Sequence, residues 1–144
     1  MSIYKQFMLI IVTIISALRG LIMLPANMTP CRLEKRMDIQ LPKSAVIEKY
    51  ERDIIGYNMY IKLSADKNDM DKIKSVLIDY CKKNNYRSDD YIPDLAKVAW
   101  WDIDRKGVEL AYSGTTKGNW NSTRNIYAFM AKGADGNQYF WLVL

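Results

Sequence analysis

Three carboxylates close together in the sequence are the side chains best suited to catalysis. Asp102, Asp104 and Glu109 lie where a strand, a turn and a second strand are expected, so they could form the carboxylate pair used in glycoside or metal chemistry. The 144-residue chain has no histidine, which excludes Ser-His-Asp and Cys-His catalysis and imidazole metal ligands. Carboxylates beside turns are more often only solvated, and Arg105 and Lys106 neutralise these. We therefore predict a protein that is not an enzyme and holds no metal or cofactor.

Two cysteines, Cys31 and Cys81, leave three interpretations open. In an exported protein they could form a disulfide that ties the N-terminal region to a helix. Cys31 could instead carry a lipid, although Pro30 departs from the small residue expected before such a cysteine. The favoured interpretation is a free Cys31 thiol with Cys81 buried as a small apolar residue.

Aromatic residues suggest a binding surface. Trp100 and Trp101 are neighbours in a predicted strand over residues 99–103, so their side chains are expected on opposite faces. If one face is open, one tryptophan lies beside Tyr60 or Tyr112 and could hold a sugar, a peptide or a protein. The alternative, burial of both tryptophans in the core, is the commoner outcome for such residues.

A polar, glycine-containing loop predicted over residues 113–125 is the second candidate, because long hairpin loops often bind ligands. It lacks the residue order of a phosphate-binding loop. The predicted binding residues from both features are Trp100, Trp101, Tyr112, Lys117 and Trp120.

The N-terminal residues have the pattern of an export segment. Residues 7–18 are uncharged and apolar and follow Lys5, which is the layout of a signal peptide. Continued through Arg19 to residue 24, the run approaches the length of a membrane helix. Residues 1–24 are therefore predicted to be a signal peptide or a membrane anchor, and a buried helix of a cytosolic protein is the less favoured alternative.

Charge gives no support for nucleic-acid binding. The chain has 21 basic and 16 acidic residues, a net charge of +5. Residues 1–40 hold five basic and two acidic residues, which leaves 16 basic and 14 acidic residues in 41–144. Nucleic-acid binding needs a clustered basic face, and residues 41–144 show none.

The remaining pattern predicts a linker or irregular arm at 25–40 and a single α+β domain at 41–144. Alternating and apolar segments predict an antiparallel sheet of about five to six strands in the order β-β-α-β-β-β-β, with one amphipathic helix on one face. An N-terminal hydrophobic helix precedes the domain. The predicted strands cover residues 46–55, 57–63, 99–103, 108–112, 126–131 and 139–144, the helix ends near Lys83, and Asp135-Gly136 predicts a hairpin.

Three short motifs, Leu41-Pro42-Lys43-Ser44-Ala45-Val46, Trp100-Trp101-Asp102 and Tyr139-Phe140-Trp141, resemble those of small uncharacterised bacterial exported proteins and lipoproteins. The resemblance implies export and a single sheet-based domain, and it assigns no catalytic residues. We predict an exported protein of a bacterium, periplasmic or anchored in the inner membrane through residues 7–24 if these are not cleaved. Its partner is predicted to be a protein, with homodimerisation open. An immunity or inhibitor protein against an envelope-acting toxin or enzyme is one alternative, and a carboxylate-dependent cell-wall hydrolase is the other.

Overall fold

The computed structural model describes residues 2–22, 27–53, 58–88, 92, 98–117 and 123–144. Its helices are α1 (Ile3–Ile22), α2 (Pro30–Met37) and α3 (Lys67–Lys83), with a 3₁₀ turn at Arg105–Gly107. Its strands are β1 (Val46–Arg52), β2 (Met59–Ser64), β3 (Arg87–Ser88), β4 (Leu110–Lys117), β5 (Thr123–Lys132) and β6 (Gln138–Val143). The predicted α+β class with an antiparallel sheet is confirmed.

All six strands form one antiparallel sheet in the order β1-β2-β6-β5-β4-β3. β6 thus lies inside the sheet, between β2 and β5, and the register places Lys62 opposite Trp141. Gly136 adopts a φ of 78° in the turn between β5 and β6, a conformation that glycine adopts without steric cost. The hairpin predicted from Asp135-Gly136 is confirmed.

The core on one face of the sheet is closed by α2 and α3. Met70, Ile73, Leu77 and Cys81 recur at helical spacing and form the buried side of α3. They pack on inward side chains of the central strands, among them Ile61, Leu63, Met130, Phe140 and Leu142. The predicted amphipathic helix is present, and Lys82 and Lys83 complement its C-terminal dipole.

The helix α2 lies where an irregular arm was predicted, and that prediction was wrong. The Thr29 hydroxyl accepts the N–H of Arg32 at 3.3 Å, and Pro30 suits the first helical turn. Leu33 and Met37, four residues apart, are both buried in the core. Two helices, and not the single one predicted, therefore cover this face.

The opposite face of the sheet is also covered. Residues 98–109, here called the strap, cross it as turns and coil, and the strap residues Trp101, Ile103 and Val108 pack against Phe129 and Trp141. The strand predicted over 99–103 was therefore wrong, because this segment packs flat on the sheet and does not pair within it. No strand was predicted at Arg87–Ser88, where β3 pairs with Tyr112 and Ser113 of β4.

The long loop predicted at 113–125 is shorter in the structure. β4 continues to Lys117 and β5 begins at Thr123, and these two ends pair with each other. Only residues 118–122, which lie outside the described residues, remain between the two strands.

The helix α1 contributes no residue to the buried clusters of the described chain. The large apolar side chains between Ile3 and Ile15 are exposed, from 38% at Ile11 to 85% at Ile3. Within the described ranges, no helix is both long enough and apolar enough to cross a membrane.

Candidate functional site

A nearly buried lysine lies at the centre of the strap-covered face. β2 directs Lys62 toward the strap, and its side chain is only 11% exposed. Its Nζ lies 3.4 Å from Oδ1 of Asp102 and stands over two rings, 4.1 Å from the centre of Tyr139 and 4.7 Å from that of Trp141. A carboxylate and two aromatic faces therefore surround one cation, a combination that offsets the cost of removing its charge from water.

Asp102 connects three parts of the molecule. Its Oδ1 faces Lys62 of β2, and its Oδ2 accepts the N–H of Ala134 in the β5–β6 turn at 3.0 Å. Because Asp102 belongs to the strap, these two contacts fix the strap to the sheet.

The β5–β6 turn adds a second polar contact beside this cation. The Tyr139 hydroxyl donates to Oδ2 of Asp135 at 2.5 Å, and the N–H of Asn137 donates to Oδ1 at 3.0 Å. The hydrogen bond from Tyr139 is the largest of several contacts that lower the pKa of Asp135 below its ordinary value. The same hydrogen bond raises the pKa of Tyr139.

The two adjacent tryptophans lie on the same face of the sheet, and the prediction of opposite faces was wrong. Their ring centres are 6.1 Å apart. Trp101 packs edge-on against Trp141 at 5.3 Å, and its buried Nε1 has no hydrogen-bond partner among the described atoms. Trp100 is half-buried, and its Nε1 donates to Oε2 of Glu51 on β1 at 3.1 Å.

Of the other predicted binding residues, the structure describes the surroundings of Tyr112 alone, and Tyr112 does not join this surface. Tyr112 packs against the helix-side core, on the opposite face from the tryptophans. The side chain of Lys117 and all of Trp120 lie outside the described residues. Among the three whose side chains are described, Trp100 and Trp101 are therefore brought together and Tyr112 is not.

The three candidate catalytic carboxylates are each engaged by a different partner. Asp102 faces Lys62, Asp104 accepts the N–H of Lys106 at 3.0 Å, and Glu109 lies 4.0 Å from Nζ of Lys74. The described part of the chain contains no group of three or more cysteines and carboxylates placed to hold a metal ion.

Both cysteines are free, so the possible Cys31–Cys81 disulfide is not formed. Cys81 is on the buried side of α3, where burial raises the pKa of its thiol to about 12. Cys31 is exposed on α2. The favoured interpretation from the sequence, a buried Cys81 and a free Cys31, matches this arrangement.

Sequence reasoning missed the role of Lys62, Tyr139 and Asp135. A lysine between apolar neighbours in Met59-Tyr60-Ile61-Lys62-Leu63 was the available signal, because a strand covered on both faces leaves no solvent for that charge. The identity of its partners depends on the register between β2 and β6, which the sequence does not reveal.

A polar cavity of about 670 Å³ lies at the other end of the sheet, around β3. It is lined by Asn84, Asn85, Tyr86, Arg87, Ser88, Ser113, Gly114, Thr115, Asn125 and Tyr127. These described lining residues carry amide and hydroxyl groups and the Arg87 guanidinium, and none of them is a carboxylate.

No family model, curated protein or solved structure matches the chain. Similarity to a known protein therefore assigns no role to this site.

Proposed function

We propose that the chain is a non-enzymatic envelope protein of a bacterium, exported or membrane-anchored through residues 7–24, whose folded domain binds a protein partner. Export or membrane anchoring is proposed from one observation, the exposure of the described apolar side chains of α1. Residues such as Phe7, Leu9 and Ile10 are 57–64% exposed. Removing one such side chain from water is worth about 1.5–3 kcal/mol, so a helix of this composition favours lipid or an export channel over water.

The domain supports the proposal because it completes its core without α1. Two helices cover one face of the sheet and the strap covers the other, and every described residue of these buried clusters lies at position 28 or later. The apolar residues of α1 are therefore available for another environment.

The partner surface that we propose lies along β1. This strand is at one edge of the sheet, and its side chains are exposed or half-buried. Val46 is 50% exposed, and Trp100 lies beside the same strand through its hydrogen bond to Glu51. An edge strand offers backbone N–H and C=O groups to a partner, and a nearby tryptophan adds apolar contact area.

Cell fractionation with intact-mass measurement tests the envelope assignment. We expect the chain in the membrane fraction at full length, or in the envelope after loss of its N-terminal residues. The double substitution Ile10→Asp with Ile14→Asp should abolish both the membrane and the envelope localisation, because a charge at the centre of a membrane helix costs about 2.5–3.5 kcal/mol. The matched control, Lys106→Asp with Lys132→Asp on the domain surface, should behave as wild type. A full-length wild-type chain in the cytosol would overturn the assignment.

Photo-crosslinking in cells tests the partner surface. A benzophenone amino acid at position 46 should give a discrete protein adduct, and the same amino acid at exposed position 106 should not. Equal labelling from both positions, or none from position 46, would contradict a partner on β1.

A further inference from the structure

We propose that the exposed face of α2 docks on an anionic phospholipid surface and so orients the domain against the membrane. This inference rests on the proposed function, since it requires that α1 is retained and held in lipid. Whereas Leu33 and Met37 of the same helix are buried, the face comprises Arg32, Lys35 and Arg36, which are all exposed. They lie at positions i, i+3 and i+4, so they share one side of the helix.

The acidic residues of α2 do not neutralise this face. The Glu34 carboxylate is half-buried, and its Oε1 accepts the N–H of Leu41 at 2.7 Å. Asp38, at the end of the helix, lies 3.6 Å from Nζ of Lys83 on α3. Because Lys83 offsets the charge of Asp38, the exposed side of α2 presents three positive charges, and Lys82 follows at the nearby end of α3.

The chain length keeps this face close to the end of α1. Asn27 belongs to the domain, because its carbonyl oxygen accepts Nη1 of Arg32 at 2.8 Å and the next residue, Met28, packs on the core. Five peptide links join Ile22 at the end of α1 to Asn27, and they span at most about 18 Å. If α1 is held in lipid, α2 cannot leave the neighbourhood of the headgroups.

Charge complementarity selects the lipid. Near an anionic bilayer, each basic residue strengthens binding about fivefold, and the attraction decays over about 8–10 Å at moderate salt. A zwitterionic surface offers no such attraction, so the orientation should depend on lipid charge and on salt.

Cys31 provides a native reporter on the same face. It is exposed, one turn before Lys35, whereas Cys81 is buried with its pKa raised to about 12 and should not react. We would reconstitute the full chain into vesicles of phosphatidylcholine alone or of equal parts phosphatidylcholine and phosphatidylglycerol. The measurement is the rate at which an uncharged, membrane-impermeant maleimide modifies Cys31.

We expect slower modification of Cys31 on the phosphatidylglycerol vesicles, with the difference lost in 1 M salt, where the screening length is about 3 Å. The variant Arg32→Gln/Lys35→Gln/Arg36→Gln should react at the same rate on both vesicles. The matched variant Lys49→Gln/Arg105→Gln/Lys106→Gln loses three exposed charges elsewhere and should keep the wild-type difference. Thermal melting of each variant checks that the domain remains folded.

Flotation separates failure of this inference from failure of the proposed function. If the chain does not float with either vesicle, α1 does not enter lipid and the proposed function is contradicted. If it floats with both, and wild-type Cys31 reacts equally fast on both, the docking of α2 is overturned while the membrane attachment stands.

Discussion

The ring of Tyr86 lies directly over Gly114, so closely that a Cβ added at Gly114 would sit 2.1 Å from its Cδ1 atom. Tyr86 precedes β3, and Gly114 lies on the neighbouring β4. An aromatic ring laid over a strand glycine restores the packing that the missing side chain leaves open.

Replacement of Gly114 by alanine should lower the free energy of unfolding by about 1–3 kcal/mol, because the ring and the strand must move apart. Chemical denaturation measures the change. Gly107→Ala is the control, since its Cβ would meet its nearest atom at an ordinary 3.5 Å, and it should stay within about 0.5 kcal/mol of wild type. A Gly114→Ala variant as stable as wild type would show that the ring does not cover this strand.

The contact between Lys62 and Asp102 should contribute to stability. A double-mutant cycle with Lys62→Met and Asp102→Asn should give a coupling of about 0.5–1 kcal/mol, reduced by the partial exposure of Asp102. The Lys83–Asp38 pair, with side chains 74% and 93% exposed, is the control and should show no measurable coupling. Strict additivity at Lys62 and Asp102 would mean that the rings alone hold the lysine.

Acid should weaken the β5–β6 turn through Asp135. Its pKa in the folded protein is lowered from an ordinary 3.8, so its contribution is present above that value and is lost as pH falls through the folded pKa. Tyr139→Phe should raise the Asp135 pKa toward 3.8 and flatten the pH dependence of stability in that range. Carboxyl NMR titration measures the pKa, Tyr50→Phe on β1 is the control, and an unchanged Asp135 titration in Tyr139→Phe would disprove the hydrogen bond.

Thiol counting distinguishes the free cysteines from a disulfide. The native protein should react with Ellman's reagent at Cys31 alone, and the denatured protein at both Cys31 and Cys81, because Cys81 is buried. No reactive thiol even in denaturant would mean that the cysteines are paired.

Burial of Cys81 also predicts an effect on stability. Cys81→Ser should lower the free energy of unfolding by about 1–3 kcal/mol, since it would place a hydroxyl among the apolar side chains that surround Cys81. Cys31→Ser should leave the free energy of unfolding unchanged.

The helix α2 should prove to be part of the folded domain. Leu33→Ala removes a wholly buried side chain and should lower the free energy of unfolding by about 2–5 kcal/mol. Lys35→Ala, on the exposed side of the same helix, should change it by less than about 0.5 kcal/mol. Similar stability for both variants would place α2 outside the core.

Elements with a long, strong periodic pattern could be predicted from the sequence. The buried side of α3 repeats at helical spacing through Met70, Ile73 and Leu77, and Asp135-Gly136 specifies the turn before β6. The helix α2 escaped prediction because Leu33 and Met37 are its only buried residues, and tertiary packing rather than periodicity stabilises so short a helix.

The strap shows why an alternating pattern can mislead. Ala99, Trp101 and Ile103 alternate with Trp100 and Asp102 as in a strand, but Trp101 and Ile103 pack on a sheet face from outside the sheet, and Ala99 is exposed. The sequence also did not reveal that both tryptophans lie on one face of the sheet. Lys62 and Asp102 are forty residues apart, and only the assembled sheet brings them together.

The position of β6 determines when this domain can form during synthesis. Of the described strands β6 is made last, yet it pairs with β2 on one side and β5 on the other, and Tyr60 lies opposite Val143. Before residues 138–143 emerge, β1 and β2 cannot join the rest of the sheet, and both cores stay open. The apolar residues of α1 are synthesised long before that point, so they emerge while β1 to β5 cannot yet complete the sheet.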